Sequence, residues 1–414
     1  MSAGRPLSTP GVGGSGRRPA GMITRWVLAS TLAIVLAVAA VALLQVDADI
    51  GAPIGPDRLV AAIDGQAAPQ ASDLARARNI LRSSPDDGRA FRVLARSAAL
   101  DGDGNGNGSQ ARALYAIAAR RAPRDQPTRA ALADGAFAAG DLQAGFDQLD
   151  ALFRVAPNLR DPLLRRLIPD LDDARVQEAL VARMATNPPW RAALVPVLLD
   201  ASTSTPAALD LLARLARRIP LLPAEADARI ALLQRAGRDG DARQLWLEAL
   251  PTSQRGDDAR LFDGGFEHPD VTGAYGWRLD PPPGVAITSD DTNPAQGAHA
   301  LSIDFSGRAV QGPGLSQRLA LAPGDYRLSL AVDNATDAQR PFAWRLSCQA
   351  PGEPLLSLSL PDGSRRGWQQ VAADFSVPAG CTGQTLHLDF LARSIAERQL
   401  TGSLRLDAMR IANR

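Results

Sequence analysis

Two cysteines, Cys348 and Cys381, and three histidines carry most of the reactive chemistry available to this chain of 414 residues. The cysteines lie in its C-terminal third; in an oxidising compartment they would pair as a disulfide, and otherwise they are two buried thiols acting as small hydrophobes. His268, His299 and His387 form no His-x-x-x-His spacing, and no Cys-x-x-Cys pair accompanies them. His387 alternates with Leu386 and Leu388, which puts it on one face of a strand as a surface or edge residue. All 45 basic residues are arginine, so Schiff-base and P-loop lysine chemistry is excluded. The acid pairs Asp172-Asp173 and Asp290-Asp291 read as helix caps and turns. Residues 101–108, DGDGNGNG, copy the start of a calcium loop, but Arg112 stands where its bidentate acid belongs, so a flexible inter-helix loop is predicted. No nucleophile elbow, P-loop or dinucleotide fingerprint occurs, no catalytic residue is proposed, and a non-enzyme is expected.

The compartment follows from residues 26–46, WVLASTLAIVLAVAAVALLQV, which carry no charge and follow Arg5, Arg17, Arg18 and Arg25 with no intervening acid. A helix of that length crosses roughly 30 Å of hydrocarbon, and the basic flank favours a cytoplasmic N-terminus. Cleavage after Ala48 is the alternative reading, but a signal h-region is usually about 7 to 15 residues. An uncleaved anchor is therefore predicted at 26–46, behind a disordered cytoplasmic tail at 1–25 and ahead of a linker at 47–69. The arginine-only basic set reads as a GC-rich coding bias, so a bacterial inner-membrane protein with its C-terminal domains in the periplasm is expected. A net charge of +1, with basic and acidic residues interspersed, excludes a nucleic-acid surface.

Prolines at 85, 123, 157, 188, 220 and 251 recur every 38, 34, 31, 32 and 31 residues, a period that suggests a helical solenoid. Between them the text is rich in Ala, Leu and Arg with apolar residues at i, i+3 and i+4. These segments resemble the tetratricopeptide repeat family, whose second helix carries small-x3-aromatic-x2-small-x4-Pro. Ala111, Tyr115, Ala118 and Pro123 match in order; Gly145, Leu149, Leu152 and Pro157 match with apolar replacements; Gly237, Ala242, Trp246 and Ala249 match the last unit, with Pro251 three residues early. Residues 158–220 depart from the pattern. The resemblance implies all-α repeats over 70–251 that bind protein partners.

After a linker at 252–260 the composition shifts to Gly, Pro, Ser, Thr and Asp, with alternating runs such as ALSIDFSG, WQQVAADFSV, TLHLDFLA and SLRLDAMRIAN. Such runs predict an all-β sandwich over 261–414. In order, Phe262-Asp263-Gly264-Gly265-Phe266-Glu267, Trp277, Gly297 to Leu301, the hairpin ending at Tyr326, Gly367-Trp368 and Leu406-Asp407 resemble the jelly-roll carbohydrate-binding modules of the galactose-binding-like type. The resemblance implies that Glu267 and Asp407 help hold a structural calcium ion; the plain alternative is that both are turn and strand-end acids. Sugar binding would use aromatic faces. The candidates are Tyr275, Trp277, Trp344 and Trp368; Tyr275 and Trp344 are expected at the surface, whereas Trp277, also kept as a glycan-binding residue, and Trp368 stand where the family places packing residues. The expected whole is a multi-domain chain: a transmembrane helix, a helical-repeat solenoid and a jelly-roll sandwich. It would act as an envelope scaffold binding protein and polysaccharide, in the assembly or export of a surface glycan. Its rivals are a scaffold with no glycan affinity and a carbohydrate-active enzyme with an unrecognised site.

Overall fold

A computed structural model describes residues 68–100, 107–255, 260–349 and 352–414. The predicted anchor at 26–46 and the acidic start of the 101–108 loop lie outside the described residues. Among those described, no helix is long and apolar enough to cross a membrane. The described residues fall into two compact units, divided between Val155 and Ala156.

In the first unit, α1 (Ala71–Ser83), α2 (Gly88–Leu100), α3 (Asn107–Arg121), α4 (Gln126–Ala138) and α5 (Leu142–Val155) follow one another, each packed on the next. Asp125 caps α4 by accepting from Thr128 N at 3.2 Å and holds Arg92 of α2 at 3.1 Å, both side chains 9% exposed. Ala118 and Leu152 are fully buried between helices, and Tyr115 and Leu149 are nearly so. Small residues at a helix contact let the axes approach, and the larger ones fill the remaining space.

The second unit begins with α6 (Arg160–Arg165), α7 (Ala174–Met184), α8 (Val195–Leu199), α9 (Thr205–Arg218), α10 (Pro223–Arg235) and α11 (Asp239–Ala249). Short 3-10 turns break 157–194, where the repeat pattern is also absent from the sequence. Prolines 85, 123, 188, 220 and 251 stand in connectors and Pro157 opens a 3-10 turn, because a proline ring removes the donor that would continue a helix. Arg191 and Glu225, both buried, bond Nε to Oε1 at 2.8 Å and Nη2 to Oε2 at 2.5 Å, pinning α10 to the turn before α8.

Ten strands then form two antiparallel five-stranded sheets. One has the order β1 (Trp277–Leu279), β4 (Leu315–Leu319), β9 (Gln384–Phe390), β6 (Phe342–Cys348), β7 (Leu356–Ser359). The other has the order β2 (Val285–Asp290), β3 (Ala300–Ala309), β10 (Gln399–Asn413), β5 (Gly324–Asn334), β8 (Gln369–Val377). Every alternating run becomes a strand because side chains alternate faces: along β9 the even-numbered leucines face the core and Thr385, His387 and Asp389 face outward. A disulfide joins Cys348, at the end of β6, to Cys381, with Cα atoms 5.6 Å apart.

The last helical hairpin is packed on this sandwich. Ile230, Leu233 and Trp246 share a buried cluster with Phe262, Val271 and Tyr275, and the Trp246 and Phe262 rings meet edge to face at 4.9 Å. Beside it the buried Asp239 accepts from Arg318 Nε at 2.8 Å and Nη2 at 2.6 Å. Trp246→Ala is expected to destabilise this unit by about 3 to 5 kcal/mol, as large-to-small core truncations do, read as a lower urea midpoint. A change below about 1 kcal/mol would show that the hairpin and the sandwich do not share a core.

Candidate functional site

Apart from the buried Ala343, the outward positions of the β1–β4–β9–β6–β7 sheet are polar. Arg278 pairs with Ser316, Ser316 with His387, and His387 with Arg345 across successive strands, so these side chains form one row. Their flanking residues, among them Gln317, Leu386, Leu388, Trp344 and Leu346, are buried, which fixes the row outside. Asp389, two residues along β9, has Oδ1 3.4 Å from His387 Nε2 and Oδ2 3.4 Å from Arg345 Nε. Beside the row opens a groove of about 890 Å3, lined by Arg278, Asp280, Arg308, Gln311, Ser316 and His387 together with Asp389. Guanidinium, carboxylate, amide and imidazole groups in one depression can donate to and accept from the hydroxyls of a polar ligand. The alternation in TLHLDFLA puts His387 and Asp389 outward together, but their pairing with Arg345 and Ser316 joins distant segments and has no local signal in the sequence.

The acidic pair lies elsewhere in the sandwich. Asp407 is fully buried at a bulge in β10, where Ala408 takes a φ of 50°. Its Oδ2 accepts from Gln296 N at 2.8 Å, and Glu267 Oε1 accepts from Ala298 N at 2.8 Å and His299 N at 3.3 Å. Gly297, with a φ of 74°, gives way to Glu267 Oε1, which any Cβ at 297 would strike. Burial raises the Asp407 pKa, backbone amides lower it, and the neighbouring Glu267 charge adds to the rise. Two carboxylates in this cradle suit a hard divalent cation in charge and ligand type. Among the described residues no group of three or more acidic, histidine or cysteine side chains could hold a metal ion.

The aromatic expectations need correcting. Tyr275 and Trp344, expected at the surface, are both fully buried. Trp344 shares the inward face of β6 with Phe342 and Leu346 and lies 5.9 Å from Trp277. The period-2 pattern FAWRLSC carries that signal. Trp277 is also in the core, its Nε1 donating to Asp263 O at 2.9 Å. Tyr275 is covered by α11, and its hydroxyl reaches Asp239 O at 3.1 Å and Oδ1 at 3.2 Å. Conversely Trp368, expected to pack inside, is only partly buried: its ring lies under Arg405 at 4.9 Å and its Nε1 donates to Asn293 O at 3.0 Å. Arg405 is itself held by Asp333 Oδ2 at 2.8 Å and Asp290 Oδ2 at 3.1 Å. None of Tyr275, Trp277 and Trp344 offers a stacking face.

No protein-family model matches the chain, and no curated protein sequence matches it. Three solved structures that align with it are carbohydrate-binding modules. TmCBM61, solved in complex with beta-1,4-galactotriose, is 15% identical over 38% of this chain and 100% of its own, with a TM-score of 0.28. The CBM22-1 xylan-binding domain of Paenibacillus barcinonensis Xyn10C is 15% identical over 37% and 94%, with a TM-score of 0.26. A family 16 Carbohydrate Binding Module-2 is 14% identical over 37% and 99%, with a TM-score of 0.27. Strand order and register, not these alignments, define the sandwich.

Burial, reinforced by the Asp239 charge, pushes the Tyr275 phenol up to about 12. Above about pH 10 the unfolded chain loses this proton while the folded one keeps it, so stability falls as pH rises from about 10 towards 12. That loss is expected to reach the order of 2 to 3 kcal/mol and to flatten in Tyr275→Phe. Denaturant midpoints across the alkaline range check it; equal slopes in the two proteins would show that Tyr275 titrates as a free phenol.

Proposed function

We propose that the chain is a non-enzymatic scaffold of a bacterial envelope, tethered by residues 26–46 in the inner membrane, with its helical and β units in the periplasm. Its helical hairpins act as tetratricopeptide repeats that bind protein partners, and its sandwich binds glycan in the assembly or export of a surface polysaccharide. The observation carrying the glycan part is the polar groove beside His387 and Asp389, whose hydrogen-bonding groups are already grouped on a rigid sheet. Sugar hydroxyls would replace water there without rearrangement of the strands. For the helical part, support comes from the buried small residues at the repeat positions and from a groove of about 420 Å3 among α3, α4 and α5.

The full-length protein in detergent, applied to a glycan array, is expected to bind a restricted set of sugars. Asp389→Ala should weaken that binding about tenfold or more, since it removes a charged acceptor. A flat array would reject the glycan role. The burial of Tyr275, Trp277 and Trp344 favours the second reading, a scaffold whose sandwich binds another protein. Under it the array is flat while a subunit co-purifies with the sandwich.

The acidic pair adds a structural role for calcium, held by Glu267 and Asp407. Its binding to the folded state alone would raise the melting temperature with calcium concentration. Wild type should respond and Glu267→Ala should not. Absence of any calcium response in wild type would leave the two acids as loop anchors for residues 296–299.

A further inference from the structure

We infer that the ligand of the sheet face is an acidic saccharide whose carboxylates are read by Arg278, His387 and Arg345. The inference rests on the glycan reading above and adds the class of sugar. Its first ground is what the face lacks. At the outward positions of β4, β6, β7 and β9 there is no Trp, Tyr or Phe; Phe342, Trp344 and Phe390 all point into the core. A neutral pyranose held mainly by stacking finds no platform here, so recognition falls to charge and hydrogen bonds.

The second ground is where the cations stand. The row runs perpendicular to the strands, as an extended polymer laid across the sheet would. Strands are about 4.8 Å apart, so Arg278 and His387 sit roughly 10 Å apart along this line and Arg345 about 5 Å further on. A polymer with charges at intervals meets a guanidinium at either end of this line, Arg278 beside Asp280 at 2.8 Å and Arg345 beside Asp389 at 3.4 Å, with the His387 imidazole between them as a hydrogen-bonding group. Arg345 Nε is buried against Asp389, in ion contact with its Oδ2 at 3.4 Å, and takes no part in such a contact. Its side chain is nevertheless 40% exposed, so its guanidinium edge is open to solvent. Arg308, on the groove wall, has no carboxylate partner among the described residues.

The third ground is geometric fit. A planar guanidinium matches a planar carboxylate through two parallel hydrogen bonds. Asp389, Ser316 and Gln311 are then left for the hydroxyls of the same or the adjoining residue. Asp389 also prevents the row from being a bare cationic stripe, which would attract any polyanion.

The full-length protein in detergent would be titrated with polygalacturonate and with the same polymer after reduction of its carboxyl groups to alcohols. Binding to the acidic form is expected to exceed binding to the reduced form by tenfold or more, and to weaken with added salt. Arg345→Gln and Arg278→Gln should each lose about tenfold on the acidic form and nothing on the reduced one. Both side chains are exposed enough that an unchanged melting temperature verifies the fold. Equal affinity for the two polymers would overturn the acidic class while leaving the glycan reading intact. Failure on both, with binding to neutral sugars elsewhere on the array, would do the same; failure on every glycan would remove both readings. Dextran sulfate binding as well as polygalacturonate, and competing fully with it, would reduce the site to general charge attraction and overturn the inference.

Discussion

Asp239 opens α11 with a carboxylate only 2% exposed, and a charge placed there must be compensated on the spot for the helix to remain against the sandwich. Three neighbours supply the compensation. Arg318 gives two hydrogen bonds to Oδ1, the Tyr275 hydroxyl approaches the same oxygen, and the amino end of α11 adds its own partial positive charge. Residue 383 must be glycine for this, because a Cβ would stand 2.7 Å from the Asp239 carboxylate. Removing one partner would leave a buried charge facing the others, so the group acts as a unit.

That unit sets the lateral position of α10 and α11, while the apolar cluster of Trp246, Phe262 and Tyr275 supplies the area. The division suits the physics. Apolar burial is non-directional, and alone it would let the hairpin slide over the sheet edge. An ion pair with two donors converging on one carboxylate oxygen is directional, and here it is anchored in β4 two residues from Ser316 of the polar row. The outward face of the sheet is thereby bounded: at Arg318 it is occupied by the hairpin, and from Ser316 through His387 to Arg345 it is open.

Much of this was legible in the sequence where the cause is local. Strand alternation in TLHLDFLA and SLRLDAMRIAN, the proline spacing, and the small and large residues of the first and last helical units all act through neighbours within a few positions. The misjudged aromatics depended on contacts across long separations. Tyr275 is buried because α11, 36 residues earlier, covers it. Trp368 stays outside the core because the nearest support for its ring is Arg405 from β10, already fixed by Asp290 and Asp333. Trp344 is a different case, since Phe342, Trp344 and Leu346 share one face by simple alternation and that pattern outweighs the general preference of tryptophan for surfaces that bind.

The distribution of aromatics also limits how the sandwich can recognise anything. Two sets of rings meet in the core, Phe266 with Trp277 and Trp344, and Phe305 with Phe342 and Phe390, at centroid separations between 4.8 and 5.9 Å. Rings committed to holding the two sheets together are unavailable to a ligand, and moving any of them outward would leave a large cavity between the sheets. What remains for the open face is the set of side chains that strand alternation places outside: Arg278, Ser316, His387, Asp389 and Arg345. Their reach, charge and hydrogen-bonding capacity, rather than stacking, are the properties on which selection at that face can act.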